Sequence, residues 1–163
     1  KDHYKAYQQW NKAQMYYKNK AYEAALEVYE PLYPLLKHKP EFLFEAAQCL
    51  SKTGRYEKAN EYLERAVLLS SDPMLYYVMA KNEQCLGEYR QAEKHLLHAI
   101  DILPERIYPY YLLMNLYTEP SYFQPAKLKM AIDSVLTKKP KVESSAIKEM
   151  KEKARSMLNN ISI

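Results

Sequence analysis

The chain alternates between segments in which apolar residues recur every three or four positions and short polar breaks, the pattern of amphipathic helices. Read this way, it predicts helices in pairs over 3–18 and 22–37, 40–53 and 56–69, 73–86 and 89–102, and 106–118 and 124–138. A single helix over 145–159 follows, with its apolar stripe at Ile147, Met150, Ala154 and Met157 or Leu158. No segment reads as a strand, so the expected class is all-α.

The breaks themselves recur. Gly54-Arg55-Tyr56-Glu57-Lys58-Ala59 returns 33 residues later as Gly87-Glu88-Tyr89-Arg90-Gln91-Ala92. A weaker copy, Lys20-Ala21-Tyr22-Glu23-Ala24-Ala25, stands 34 residues earlier. The chain has 2 glycines, and both occupy this one repeat position. Four residues beyond each motif's last Ala comes Tyr29, Leu63 or Leu96; ahead of each turn sits a small residue, Ala13, Ala47 or Ala80. Small residues let paired helices approach closely, and the larger ones fill the space between pairs. Pro40, Pro73 and Pro104 follow the second helices, where a first helical turn tolerates proline because its missing N–H would be unpaired there. Asp72 offers an N-cap acceptor. The fourth turn, Glu119 to Pro125, lacks glycine, carries two prolines and is expected to be the most mobile internal segment.

A period of 33–34 residues built on this turn resembles the tetratricopeptide repeat. The resemblance implies one solenoid domain over 1–163, with repeats at 3–39, 40–72, 73–105 and 106–140 and a capping helix at 145–159 that covers the open end. It also implies a concave surface offered to another molecule, most simply a protein or peptide. Aligning Ala13, Ala47, Ala80 and Met114 sets the first helices in register. One column then reads Trp10, Phe44, Tyr77, Tyr111, and another Gln14, Gln48, Lys81, Asn115; Tyr7, Tyr17 and Tyr108 fall on the same side. Flat rings beside carboxamides suit extended amphipathic ligands, peptides or sugars. Burial of the rings between helices is the competing expectation.

Charge matters by position. The net charge is +4, but residues 127–155 hold nine basic against four acidic residues, leaving +5 there and −1 elsewhere. Lys138, Lys139, Lys141, Lys148 and Lys151 form the expected basic surface, either a polar outer face or a site for anionic lipid or polymer. Nucleic acid is not expected, because the aromatics are not interleaved with these lysines.

Catalytic chemistry has little footing. Two isolated glycines cannot build a phosphate-cradling loop, and no Cys-x-x-Cys, His-Glu-x-x-His or Gly-x-Ser-x-Gly occurs. His95 and His98 stand three apart on an outer helix and read as surface residues; no metal or cofactor is expected. Cys49 and Cys85 read as small core residues. No run approaches the roughly 20 apolar residues of a membrane span. The chain opens at Lys1 without methionine and reads as a piece of a larger protein.

A narrower resemblance enters in the second half. Arg106-x-Tyr108-Pro109-x-Tyr111-Leu112-Leu113 and Pro140-Lys141-Val142-x-Ser144 lie outside the generic repeat. With Ser70–Tyr76 and Gly87–Glu93 they resemble the C-terminal repeat region of O-antigen ligase/polymerase-like membrane proteins of Bacteroides-type bacteria. That resemblance implies an accessory, non-catalytic domain, joined to a membrane only through the rest of such a parent and placed at the inner membrane, on the periplasmic rather than the cytoplasmic side. It would either scaffold a protein partner or hold glycan in the aromatic groove. An autonomous soluble adaptor is the third reading.

Overall fold

The computed structural model describes residues 2–161 and is helical throughout, with no strand among them. The chain divides within the third repeat into two compact units, one up to Leu86 and one from Gly87.

The first unit holds α1 (Asp2–Lys18), α2 (Tyr22–Leu36), α3 (Pro40–Lys52), α4 (Tyr56–Ala66) and α5 (Pro73–Cys85). Each helix packs on the next, and α3 also touches both α1 and α5, so the three first helices of the repeats lie side by side. The small positions do what their size requires: Ala13, Ala25, Ala47 and Ala59 have no exposed surface. Tyr29, Leu36, Phe42, Leu43, Leu50 and Leu63 fill the space around them.

The turns explain the repeat motif. Gly54 has φ 81° and Gly87 φ 77°, the left-handed region in which a β-carbon is strained. Lys20, at the same repeat position, is forced to φ 61°. Its turn closes as the glycine turn does: Ala21 N donates to Tyr16 O at 2.8 Å, and Arg55 N donates to Leu50 O at 2.8 Å. Both are Schellman-type closures, in which the residue after the left-handed one satisfies a carbonyl of the helix's last turn. Asp72 Oδ1 accepts from Met74 N at 3.0 Å and caps α5.

One boundary expectation needs correction. Pro104 does not open a helix: it lies in the turn before α7, and Pro109 supplies the proline in that helix's first turn. The α2 pattern runs unbroken over Pro31 and Pro34, both exposed and both inside the helix. Each proline removes one backbone donor from the ladder, and the buried face of α2 (Ala25, Leu26, Tyr29, Leu32, Leu36) holds the helix together regardless.

The second unit holds α6 (Tyr89–Ile102), α7 (Tyr108–Leu116), a 3-10 turn at Pro120–Tyr122, α8 (Pro125–Thr137) and α9 (Ser145–Ile161). Here α6 packs on α7, α7 on α8, and α8 on α9. Leu96, Met114, Leu116, Leu128, Ile132 and Val135 form its core, and Ala154 seats α9 with no exposed surface. Ser144 Oγ accepts from Ile147 N at 3.2 Å at the start of α9.

Candidate functional site

The side-by-side helices α1, α3 and α5 carry most of the residues expected to form a groove, and the structure sorts them into two sets. Trp10 and Tyr77 are 8% and 5% exposed, so they are not surface rings. Trp10 stands edge-on to Phe42 with centroids 5.7 Å apart and donates Nε1–H to Glu45 Oε1 at 2.7 Å. Gln14, expected to stand with open polar atoms, donates Nε2–H to the two Glu45 oxygens at 3.2 and 3.0 Å. The expected four-ring column is corrected accordingly. Those ring positions also serve helix packing, and a 33–34-residue register does not separate the two uses.

What remains open on this face is narrower. Tyr7 is 37% exposed, stacked on Trp10 at 5.8 Å, with Lys39 Nζ 6.0 Å from its ring. Tyr17, Phe44, Gln48 and Gln84 are half-buried, and Lys81 is exposed. Burial, then the neighbouring Cys49 and Glu45, raises the Tyr17 phenol above its ordinary range. In the second unit Tyr108 and Tyr111 are half-buried and stacked at 6.4 Å, and Lys153 Nζ from α9 stands 5.5 Å from the Tyr111 ring. Asn115 Oδ1 is buried without a hydrogen-bond partner among the described residues.

The most structured polar features escaped the sequence reading. Glu45 on α3 accepts from Trp10 and Gln14 of α1 and, at 2.9 Å, from the fully buried Tyr29 hydroxyl of α2. This carboxylate joins three helices. Desolvation and the Glu45 charge together push the Cys49 thiol up to about 12, so the one buried cysteine stays protonated and inert. Cys85 is exposed rather than part of the core. A second hub is Glu93 on α6, only 8% exposed. It accepts from Tyr117 Oη at 2.6 Å, from the Tyr122 hydroxyl, and from Lys127 Nζ at 3.0 Å. Burial alone would raise this carboxyl, but those donors and the Lys127 charge outweigh it and hold it below the usual range. The Tyr122 phenol is pushed up to about 12 by burial and by its bond to Glu93. A third pair is Asn82 Nδ2–H to Asn60 Oδ1 at 2.8 Å, with Asn60 donating to the Met79 carbonyl at 3.3 Å. Asn60 and Glu93 share one repeat position, immediately after Ala59 and Ala92, where the first repeat has Leu26. A polar residue recurring among buried positions was the available signal.

The expected basic surface is also divided. Lys151 is not a surface charge: its Nζ donates to the carbonyls of Val135 at 2.9 Å, Leu136 at 3.2 Å and Lys138 at 3.0 Å, capping the C-terminus of α8. Lys138 lies 5.0 Å from the Tyr110 ring, while Lys139, Lys141 and Lys148 are exposed. His98 is exposed, and His95 is half-buried with its Nε2 3.3 Å from Gln91 Nε2. No group of three or more His, Cys, Asp or Glu is placed to hold a metal among the described residues. Among the described residues no helix is long and apolar enough to cross a membrane.

Helix hairpins repeating every 33–34 residues, with a left-handed turn residue between the helices and small residues at the crossings, define a tetratricopeptide-like solenoid. Residues 18–99, just over half of the chain, match the family model of anaphase-promoting complex, cyclosome, subunit 3, and the chain belongs to that repeat family. No curated protein matches the sequence. Among solved structures it is similar to MamA (residues 41 to end) of Desulfovibrio magneticus RS-1, with a TM-score of 0.75 at 20% identity over 96% of this chain and 93% of that one. It is also similar to the Yersinia enterocolitica type III secretion chaperone SycD in complex with a peptide of the translocator YopD, with a TM-score of 0.57 at 17% identity over 96% and 95%. A third likeness is to the Cut9–Hcn1 hetero-tetramer of the APC/C, with a TM-score of 0.72 at 13% identity over 91% of this chain and 29% of that one. At these identities the likenesses show the fold.

Proposed function

We propose that this chain is a recognition module rather than a catalyst, and that α1, α3 and α5 together hold an extended segment of a protein partner. One observation carries the reading. Three adjacent first helices present Tyr7 and Tyr17 from α1, Phe44 and Gln48 from α3 and Gln84 from α5, none of them fully buried, while the half-buried carboxylate of Glu45 is engaged by Trp10, Gln14 and Tyr29. Rings with two rotatable torsions and carboxamides with both donor and acceptor atoms match the alternating apolar and backbone-polar character of an extended peptide. The YopD peptide in the SycD complex supports the reading by analogy of fold.

The parent is proposed to be a surface-polysaccharide ligase or polymerase of the O-antigen type, with the module at the inner membrane on the periplasmic side. The Arg106–Leu113 and Pro140–Ser144 elements support this. A glycan-holding groove is the weaker reading, because two of the four rings it needs, Trp10 and Tyr77, are buried.

A photo-crosslinking residue placed at Gln48 in the native host should trap a discrete protein, whereas one at Glu61 on the outer helix α4 should not. Equal trapping at both positions, or trapping of polysaccharide alone at Gln48, contradicts the reading.

A further inference from the structure

Helix α8 buries Leu128, Ala131, Ile132 and Val135 against its neighbours, so the opposite side of the helix, through Ala126, Lys129, Met130, Asp133 and Thr137, faces solvent. Ala126, Met130, Asp133 and Thr137 recur at spacings of three and four, one line about 17 Å long on a thirteen-residue helix, with Lys129 beside it. The chain leaves that line at both ends with an exposed apolar residue. Phe123 is 53% exposed before the helix, Met130 is 70% exposed along it, and Val142 is 75% exposed in the turn after it. Lys129, Lys139 and Lys141 are exposed between them.

We propose that this side of α8 and the turn after it form a docking surface for an anionic lipid bilayer. Charge complementarity commits the surface to that occupant. Residues 127–155 net +5, and Lys138 and Lys153 meet neutral rings, so their charge remains in the local field. Lys127, by contrast, is paired with Glu93. Asp133 on the line and Glu143 in the turn after the helix are exposed acids of this segment, and against Lys129, Lys139 and Lys141 they leave it net positive. The form of the apolar part favours lipid over an acidic protein. Protein anchors need contiguous pockets that exclude water, whereas Phe123, Met130 and Val142 are single exposed side chains spaced apart along the segment. A headgroup layer accepts isolated apolar tips beside lysines. The inference is independent of the α1, α3 and α5 face.

Co-sedimentation of the whole chain with phosphatidylcholine vesicles, with and without phosphatidylserine, tests it. Binding is expected only when phosphatidylserine is present. It should fall with added salt and drop roughly tenfold or more in the Lys129→Glu, Lys141→Glu double variant. Met130→Ser with Val142→Ser should weaken what binding survives in salt, and circular dichroism should show both variants folded. Binding equal on both vesicle types, or on neither, overturns the proposal. So does capture by soluble polyglutamate that the lysine changes weaken and the Met130 and Val142 changes leave untouched.

Discussion

Two hydrogen-bonded carboxylates, one half-buried and one buried, divide the work of this chain in different ways. Glu45, in the first unit, accepts only from neutral groups, an indole, a carboxamide and a phenol, and all three come from regular helices. Glu93, in the second, takes two phenols and an ammonium, and two of its three donors, Tyr122 and Lys127, belong to the glycine-free turn and the start of the helix after it. Where the repeat is regular, a left-handed turn residue, Lys20 or Gly54, closes the hairpin and the carboxylate fixes one helix face against another. Where the turn is irregular, a charged staple replaces the turn chemistry. Stacking of Tyr122 on Tyr89 at 5.8 Å adds to that staple, so the segment expected to be most mobile is pinned at one residue, with Phe123 left outside.

Breaking the staple should have the largest effect. Glu93→Ala leaves the buried Tyr117 hydroxyl without its acceptor and Lys127 without its ion pair, and should cost about 3 kcal/mol. Denaturant titration gives the value, and hydrogen exchange over 117–128 should speed up well before that over 40–66.

Replacing charge alone sharpens the contrast. Glu93→Gln should cost about 2 kcal/mol and Glu45→Gln about 1 kcal/mol, because the second keeps a neutral acceptor for neutral donors while the first loses its counter-charge. Equal losses in matched unfolding curves would mean that Lys127 adds nothing to the staple.

The turns come next. Gly54→Ala meets no atom within 4 Å, so its cost is backbone strain alone, about 1 kcal/mol. Lys20→Gly should gain a similar amount by relieving the strain that Lys20 bears at φ 61°. Thermal unfolding that moves the same way for both would remove the equivalence of the two turns.

The pH dependence is the mildest test, and it has a sign at each end. Glu93 titrates lower folded than unfolded, so its contribution is present at neutral pH and disappears as pH falls through the depressed folded value. Tyr122 titrates higher folded, so its contribution is full below about 10, the ordinary phenol value, and is lost as pH rises toward about 12. Near-ultraviolet circular dichroism of the wild type should lose signal at both extremes, and the high-pH loss should shrink in Tyr122→Phe.

The helix pairs and their order were legible because spacing of apolar residues, small crossing residues and glycine turns all repeat at 33–34 residues. The interior of α2 was legible too, although Pro31 and Pro34 argue against it locally, because its buried stripe outweighs two lost donors. The candidate site was read less well. Register set α1, α3 and α5 side by side, but it gave Trp10 and Gln14 to a ligand when Glu45, one position further along α3 than Phe44, takes them inward. Lys151 was read as surface charge by its residue type, whereas its ammonium is held by three carbonyls at a helix end brought near only in three dimensions. Periodicity reports which side of a helix a residue occupies; it does not report which polar groups meet there.

Hydrogen exchange of the whole chain, free and bound to the partner trapped through Gln48, tests the proposed docking face most directly. Slowing at the exposed ends and sides of α1, α3 and α5, with α2 and α4 unchanged, is the result expected. Slowing confined to α2 and α4, or to residues 123–142, would contradict it.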